Sequence, residues 1–116
     1  MKRPVVATTT LSYEGHTITR YIGVVRGLIV RTPSLGQGIA GALKSIAGGD
    51  IDEYEQVCDS SRQRAFDEML EHAADLGANA VIGVRFDATQ FLNATEVLCD
   101  GTAVVVSPEP GAAATQ

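Results

Sequence analysis

The chain has 116 residues, of which 45% are hydrophobic and only 5% aromatic, with no tryptophan. This length suits a single domain and excludes a two-domain enzyme, and the core must be built from Val, Ile, Leu and Ala. A formal net charge of −5 argues against a surface that binds nucleic acid through its phosphates. No apolar run reaches the roughly 18 residues of a membrane span, so no membrane partner is expected.

The first part of the chain predicts two strands. A short one at Val5–Leu11 ends in a turn over residues 12–15, and a long one follows over residues 17–31. Because a short turn joins them, we expect the two strands to pair antiparallel. Gly23 and Gly27 are expected bend or bulge positions, since the second strand exceeds the usual strand length.

Two helices are predicted next. The first covers Leu35–Ala47, with glycines on the side opposite its apolar positions, and Gly48-Gly49 ends it. The second begins at the N-cap Asp50, runs to Leu76 and ends at Gly77, where a positive φ is expected. Its apolar stripe consists of Tyr54, Val57, Cys58, Ser61, Ala65, Phe66, Met69, Ala73 and Leu76.

The last part predicts two further strands, 79–91 and 95–106, and a flexible tail over residues 107–116. In the third strand, the buried face is predicted to carry Ala80, Ile82, Val84 and Phe86. In the fourth, Cys99 shares a face with Val97, Gly101, Ala103 and Val105. The element order predicts one α+β domain over residues 1–106, a two-layer fold in which an antiparallel sheet packs under the long helix.

Residues spread along the whole domain resemble the YbjQ-like family, whose members carry a heavy-metal-binding label. The resemblance covers roughly residues 5–106. The residues that carry it are Thr8-Thr9, Glu14-Gly15, Tyr21–Val25, Ile46, Gly48-Gly49, Tyr54-Glu55, Ala65, Met69, Gly77–Val84, Asp87 and Gly101–Val105. The resemblance implies a dodecin-related two-layer fold that assembles into ring-shaped homopentamers of unassigned biochemical role.

The family label makes a divalent transition metal the first candidate cofactor. The soft or borderline ligands in the chain are Cys58, Cys99, His16 and His72. No pair has the spacing of a C-x-x-C or H-x-x-x-H motif, and along one helix Cys58 and His72 lie about 21 Å apart. Both cysteines also occupy apolar faces, which favours core thiols. We therefore predict that a metal site with Cys58, Cys99 and His72 as ligands, if formed, lies between subunits.

Arginines offer an alternative ligand class. Arg20 and Arg26 interrupt an apolar strand face, and Arg85 and Asp87 share a face of the third strand. Salt bridges between subunits are the simpler interpretation, and an interface pocket for a small anionic ligand is the functional one. The G-x-G-x-x-G pattern in the first helix is interpreted as packing glycines, because Pro33 precedes it and no parallel crossover follows.

These patterns predict a binding or structural module and no enzyme. No nucleophile is predicted beside a base, and no carboxylate pair has a reason for shifted acidity. The segment MKRPVVATTT lacks the apolar stretch of a secretory signal, so we expect a cytoplasmic protein with reduced thiols. The first hypothesis is an oligomer that binds metal or a small ligand at subunit interfaces. The alternative is a purely structural or partner-binding ring with no small ligand.

Overall fold

The computed structural model describes residues 4–31, 52–91 and 94–110, without the side chains of residues 52–58 and 91. Its elements are β1 (Val6–Ala7), β2 (His16–Arg31), α1 (Asp52–Asp75), β3 (Ala80–Phe91) and β4 (Ala94–Pro108). The strands form one four-stranded sheet in the order β1-β3-β4-β2, and α1 packs on it. The predicted α+β class is confirmed. The predicted helix Leu35–Ala47 and the N-cap Asp50 lie outside the described residues.

The predicted pairing of the first two strands is wrong. β1 pairs in parallel with β3, with Val6 opposite Ala80, so the sheet is mixed. β2 pairs antiparallel with β4 from His16 to Arg31. The two long strands pair over almost their whole length and satisfy the backbone groups that face each other, which the short β1 cannot do. After Ala7 the chain forms a loop beside β3, where the Gly83 N–H donates to the Thr10 carbonyl oxygen at 2.7 Å.

The two glycines of β2 differ in role. The register against β4 shifts between Tyr21 and Gly23, and Gly23 has φ 152°, which confirms the predicted bulge there. Gly27, in contrast, pairs regularly with Cys99. A Cβ on Gly27 would overlap the backbone oxygen of Ala65 and lie 2.8 Å from the Met69 nitrogen. Gly27 is therefore a place where α1 rests on the sheet, and the register shows no bulge there.

The main core lies between α1 and the sheet. α1 lies mainly over β2 and β4 and touches β3 much less. The buried members of this core are Val25, Ile29, Ala65, Met69, Ala73, Ala78, Val81, Val84, Val97, Cys99 and Ala103. The described part of the predicted helix stripe is confirmed at Ser61, Ala65, Met69 and Ala73, which are all buried. Leu76, just beyond the helix, is 45% exposed, and Gly77 follows with φ 88° as predicted.

The face assignment for β3 is only half correct. Gly83 has φ 63°, and the register against β4 shifts between Ile82 and Arg85. This bulge reverses the alternation of side chains along the strand. Ala80 and Ile82 consequently join a second cluster on the sheet face away from α1, whereas Val84 packs in the main core. Beyond the bulge, Phe86 is 43% exposed.

β4 is the central strand between β3 and β2. Val97, Cys99, Gly101 and Ala103 are buried at alternate positions, as predicted. Val104 and Val106 lie in the second cluster, which Tyr13 and Ile18 cover in part. The strand extends to Pro108 and thus into the predicted tail. In the described residues, no helix is long and apolar enough to cross a membrane.

Candidate functional site

An open groove lies where the last turns of α1 meet the outer edge of β2. Its volume is about 380 Å³. The residues that line it are Arg26, Leu28, Glu68, Glu71, His72 and Asp75. Three carboxylate residues and one histidine line the groove with a single arginine, so the groove is predominantly acidic.

Two side chains of α1 accept hydrogen bonds from the backbone at the edge of β2. The Leu28 N–H donates to Glu68 Oε1 at 3.3 Å, and the Arg26 N–H donates to His72 Nδ1 at 3.4 Å. Glu68 and His72 are four residues apart, so they lie on the same side of the helix one turn from each other. Both backbone N–H groups point away from β4, and the side chains satisfy donors that an edge strand leaves without a strand partner.

These contacts determine what the groove offers chemically. Because Nδ1 accepts a hydrogen bond, the neutral His72 ring carries its proton on Nε2. Coordination of a metal through Nε2 would move that proton to Nδ1 and compete with the Arg26 N–H. Glu68 uses one carboxylate oxygen for Leu28 and keeps a second for another partner. For a cation, the groove therefore offers the second Glu68 oxygen, and it offers His72 Nε2 only at the cost of the contact with the Arg26 N–H.

Cys99 lies in a different environment from His72. Its side chain has no exposed surface, and its Sγ lies 3.6 Å from the Met69 Sδ. Burial, with a smaller contribution from the Asp100 carboxylate, raises the pKa of the Cys99 thiol from 9.0 to about 11. Since a metal ligand must be a thiolate, this environment disfavours coordination.

The structure does not bring the predicted metal ligands together. Cys99 is in the core and His72 is exposed at the outer edge of β2. The Cys58 side chain lies outside the described residues. Within residues 4–31, 52–91 and 94–110, no group of three or more His, Cys, Asp or Glu side chains is arranged to hold a metal ion. A metal site with Cys58, Cys99 and His72 stays a prediction.

The charged strand residues form a row that the sequence did not reveal. Asp100 on β4 lies opposite Arg26 on β2 and opposite Arg85 on β3, so the carboxylate stands between two guanidinium-bearing neighbours. Asp87 lies one pair further along the same face, opposite Leu98, and Arg20 pairs with Val105 far from the row. This arrangement follows from the register of β4 against β2 and β3, which cannot be read from the sequence of any one strand. The anionic pocket stays a prediction.

An aromatic contact ties β3 to the helix on the other face. The rings of Phe66 and Phe86 stack with centroids 6.3 Å apart, and the Arg62 guanidinium carbon lies 5.9 Å from the Phe86 centroid. A cation over an aromatic ring stabilises such contacts by about 0.5–1 kcal/mol at exposed sites. This contact anchors the part of β3 that α1 otherwise leaves uncovered.

Residues 5–107 match a protein-family model, YbjQ, that is described as "Putative heavy-metal-binding". The chain belongs to the YbjQ family. Among its relatives, a UPF0145 protein of Methanoregula boonei is 51% identical over 114 residues, covering 97% of this chain and 95% of that protein. UPF0145 protein lpl0253 of Legionella pneumophila (strain Lens) is 48% identical over 103 residues, covering 88% and 98%.

A solved structure shares the YbjQ fold. It is a protein of unknown function from Pediococcus pentosaceus that belongs to the DUF74 family. The TM-score is 0.61 at 18% sequence identity, over 89% of this chain and 98% of that one. At this identity the likeness concerns the fold alone. YbjQ membership thus confirms the resemblance seen in the sequence, while the relatives' names assign no reaction.

Proposed function

We propose that the protein is a homo-oligomeric binding module that takes a metal ion or small ligand at grooves between its subunits. The observation that carries the proposal is that the groove and an exposed apolar strand face share Arg26 and Leu28. On β2, Tyr21 is 68% exposed, Val24 74%, Leu28 44% and Val30 62%. A second copy seated on these side chains would therefore lie next to the groove, at the Arg26 and Leu28 side of it.

Charge supports a second copy as the occupant of this face. The row Arg26–Asp100–Arg85 crosses the same sheet face as the apolar side chains of β2. A second copy carries both signs of charge. Its carboxylates can therefore pair with Arg26 and Arg85, and its guanidinium groups can pair with Asp100. The resemblance to the YbjQ family adds the expectation of a pentameric ring in the cytoplasm.

A cation is the ligand class that the groove favours. Glu68 and His72 contribute an oxygen and a ring nitrogen on one side of α1, and a neighbouring subunit would supply the remaining ligands. Metal content and mass of the purified protein in its native state test this directly. We expect an oligomer that holds a transition metal, with binding at least tenfold weaker in His72→Ala and Glu68→Ala and unchanged in Cys99→Ala.

The assembly has its own test. Val24→Lys puts a charge in the middle of the exposed face, whereas Thr17→Lys puts the same charge on an exposed position near the start of β2. Native mass spectrometry should find a smaller species for Val24→Lys and the wild-type assembly for Thr17→Lys. A wild-type monomer at micromolar concentration would contradict the oligomer.

A purely structural or partner-binding ring is the second candidate function. The buried, protonated Cys99 and the lack of a three-ligand group in the described ranges favour it. In that case the oligomer forms as above, and neither metal nor small ligand accompanies the purified protein. The same native mass measurement therefore separates the two candidates.

A further inference from the structure

The two edges of the sheet differ in how they are protected. At β2, α1 side chains bind the outward N–H groups of Arg26 and Leu28. At β3, β1 pairs only at Ala80 and Val81, and the Thr8 carbonyl accepts the Val84 N–H. From Arg85 to Phe91, no described segment lies along the outer side of β3, and residues 85–90 are all exposed.

The register shows which groups this open edge presents. Because Arg26 and Leu28 point outward from β2, their partners Asp100 and Leu98 direct their own backbone groups toward β3. Arg85 and Asp87, opposite them, are therefore bonded to β4. By alternation, Phe86, Ala88 and Gln90 turn their N–H and C=O groups outward, where an added strand would bind them.

We infer that this edge pairs antiparallel with the same edge of a second copy, with Ala88 facing Ala88 of that copy. The two copies can form hydrogen bonds only in a register that places the outward N–H and C=O groups of one β3 opposite those of the other. The loop at Thr8 blocks a partner from passing Val84, and β3 ends at Phe91. Within those limits, the register centred on Ala88 is the one that uses the whole open length.

Side-chain chemistry agrees with that register. It places Asp87 opposite Thr89 of the second copy, so each carboxylate meets a hydroxyl donor in a close, non-hydrogen-bonded pair. A shift of the centre to Asp87 would set two carboxylates directly against each other, which is unfavourable. α1 leaves room for the partner because it lies mainly over β2 and β4.

The resulting contact is a two-fold one that joins two sheets into a single continuous sheet. It uses β3, whereas the proposed function uses the β2 face and the groove, so either can fail without the other. In an oligomer built on the β2 face, the β3 contact would join two such oligomers.

Disulfide trapping tests the register. In a hydrogen-bonded antiparallel pair the Cα atoms lie about 5.5 Å apart, within the range that a disulfide spans. In a Cys58→Ala background of the full chain, we expect Ala88→Cys to form a covalent dimer under mild oxidation. Thr89→Cys is the matched control, since the two copies of residue 89 are offset along the strands by about 7 Å and should crosslink at least tenfold less.

A mixture of two different cysteine variants gives a second, independent test of the register. Phe86→Cys and Gln90→Cys protomers should crosslink to each other in preference to themselves, because this register makes them a facing pair. Equal crosslinking of Ala88→Cys and Thr89→Cys would show random collision and overturn the inference. Absence of a dimer in both the Ala88→Cys protein and the mixture, with circular dichroism matching wild type, would overturn it as well.

Discussion

At Gly27, the helix and the sheet lie too close together to admit a side chain. Its missing Cβ would overlap the Ala65 backbone oxygen, so Gly27→Ala should force α1 away from the sheet. Such overpacking costs about 1–3 kcal/mol. Gly77→Ala is the comparison, since nothing lies within 4 Å there and only its φ of 88° opposes a side chain. Urea unfolding should show the larger loss for Gly27→Ala, and an equal loss would contradict the close contact.

Cys99 makes the stability of the fold depend on pH in the alkaline range. Burial raises the pKa of its thiol to about 11, whereas the unfolded thiol ionises near 9.0. Between these values the unfolded chain releases a proton that the folded chain retains, so the free energy of unfolding falls as pH rises. We expect a decrease of about 1 kcal/mol per pH unit in this window. Cys99→Ala, measured by urea unfolding at each pH, should lack that part of the decrease.

At the scale of elements, the local sequence pattern predicts the presence and length of helices and strands better than it predicts which strands pair. The 3.6-residue stripe predicted α1, and strand propensity predicted β2, β3 and β4 within a few residues of their ends. The predicted antiparallel pairing of the first two strands was wrong because strand pairing depends on hydrogen bonds between segments that are far apart in the sequence. The prediction of which β3 side chains are buried was half wrong because the one-residue bulge at Gly83 reverses the alternation of side chains. The sequence does not show that this glycine has a positive φ.

The candidate site shows the same limit. The four-residue spacing of Glu68 and His72 is visible in the sequence and places both on one side of a helix. That they cap backbone N–H groups depends on β2 being an edge strand, which only the topology shows. Cys99 was predictable as a core thiol from its alternation with Val97, Gly101 and Ala103, and its burial agrees.

The contact between α1 and the β2 edge can be measured one amide at a time. Glu68→Ala removes the acceptor of the Leu28 N–H, and His72→Ala removes that of the Arg26 N–H. In native-state hydrogen exchange, each variant should accelerate its own amide and leave the other near the wild-type rate. Asp67→Ala is the control, since Asp67 accepts from the Gln63 side chain on the exposed surface of α1. Acceleration of both amides by either change would mean that the helix end, not the single contact, protects the edge.

At the scale of the whole molecule, the described residues cover one face of the sheet only in part. The second cluster buries Ala80, Ile82, Val104 and Val106, and the exposed β2 side chains begin beside it at Tyr21, which pairs with Val104. Tyr13 and Ile18 cover that cluster from the same chain. A second copy that covered the remaining apolar surface on β2 would gain roughly 25 cal/mol for each Å² removed from water.

Self-association through that surface should appear as a dependence of stability on protein concentration. If the folded chain binds its copies and the unfolded chain does not, a concentration 100-fold above the dissociation constant adds about 2.7 kcal/mol to the free energy of unfolding. We therefore expect the Tm of the wild type to rise over a hundredfold increase in concentration, as followed by calorimetry and circular dichroism. Val24→Lys should flatten this dependence because it places a charge at the 74% exposed position, whereas Thr17→Lys should preserve it. A wild-type Tm that does not change with concentration would mean that this surface stays exposed in solution.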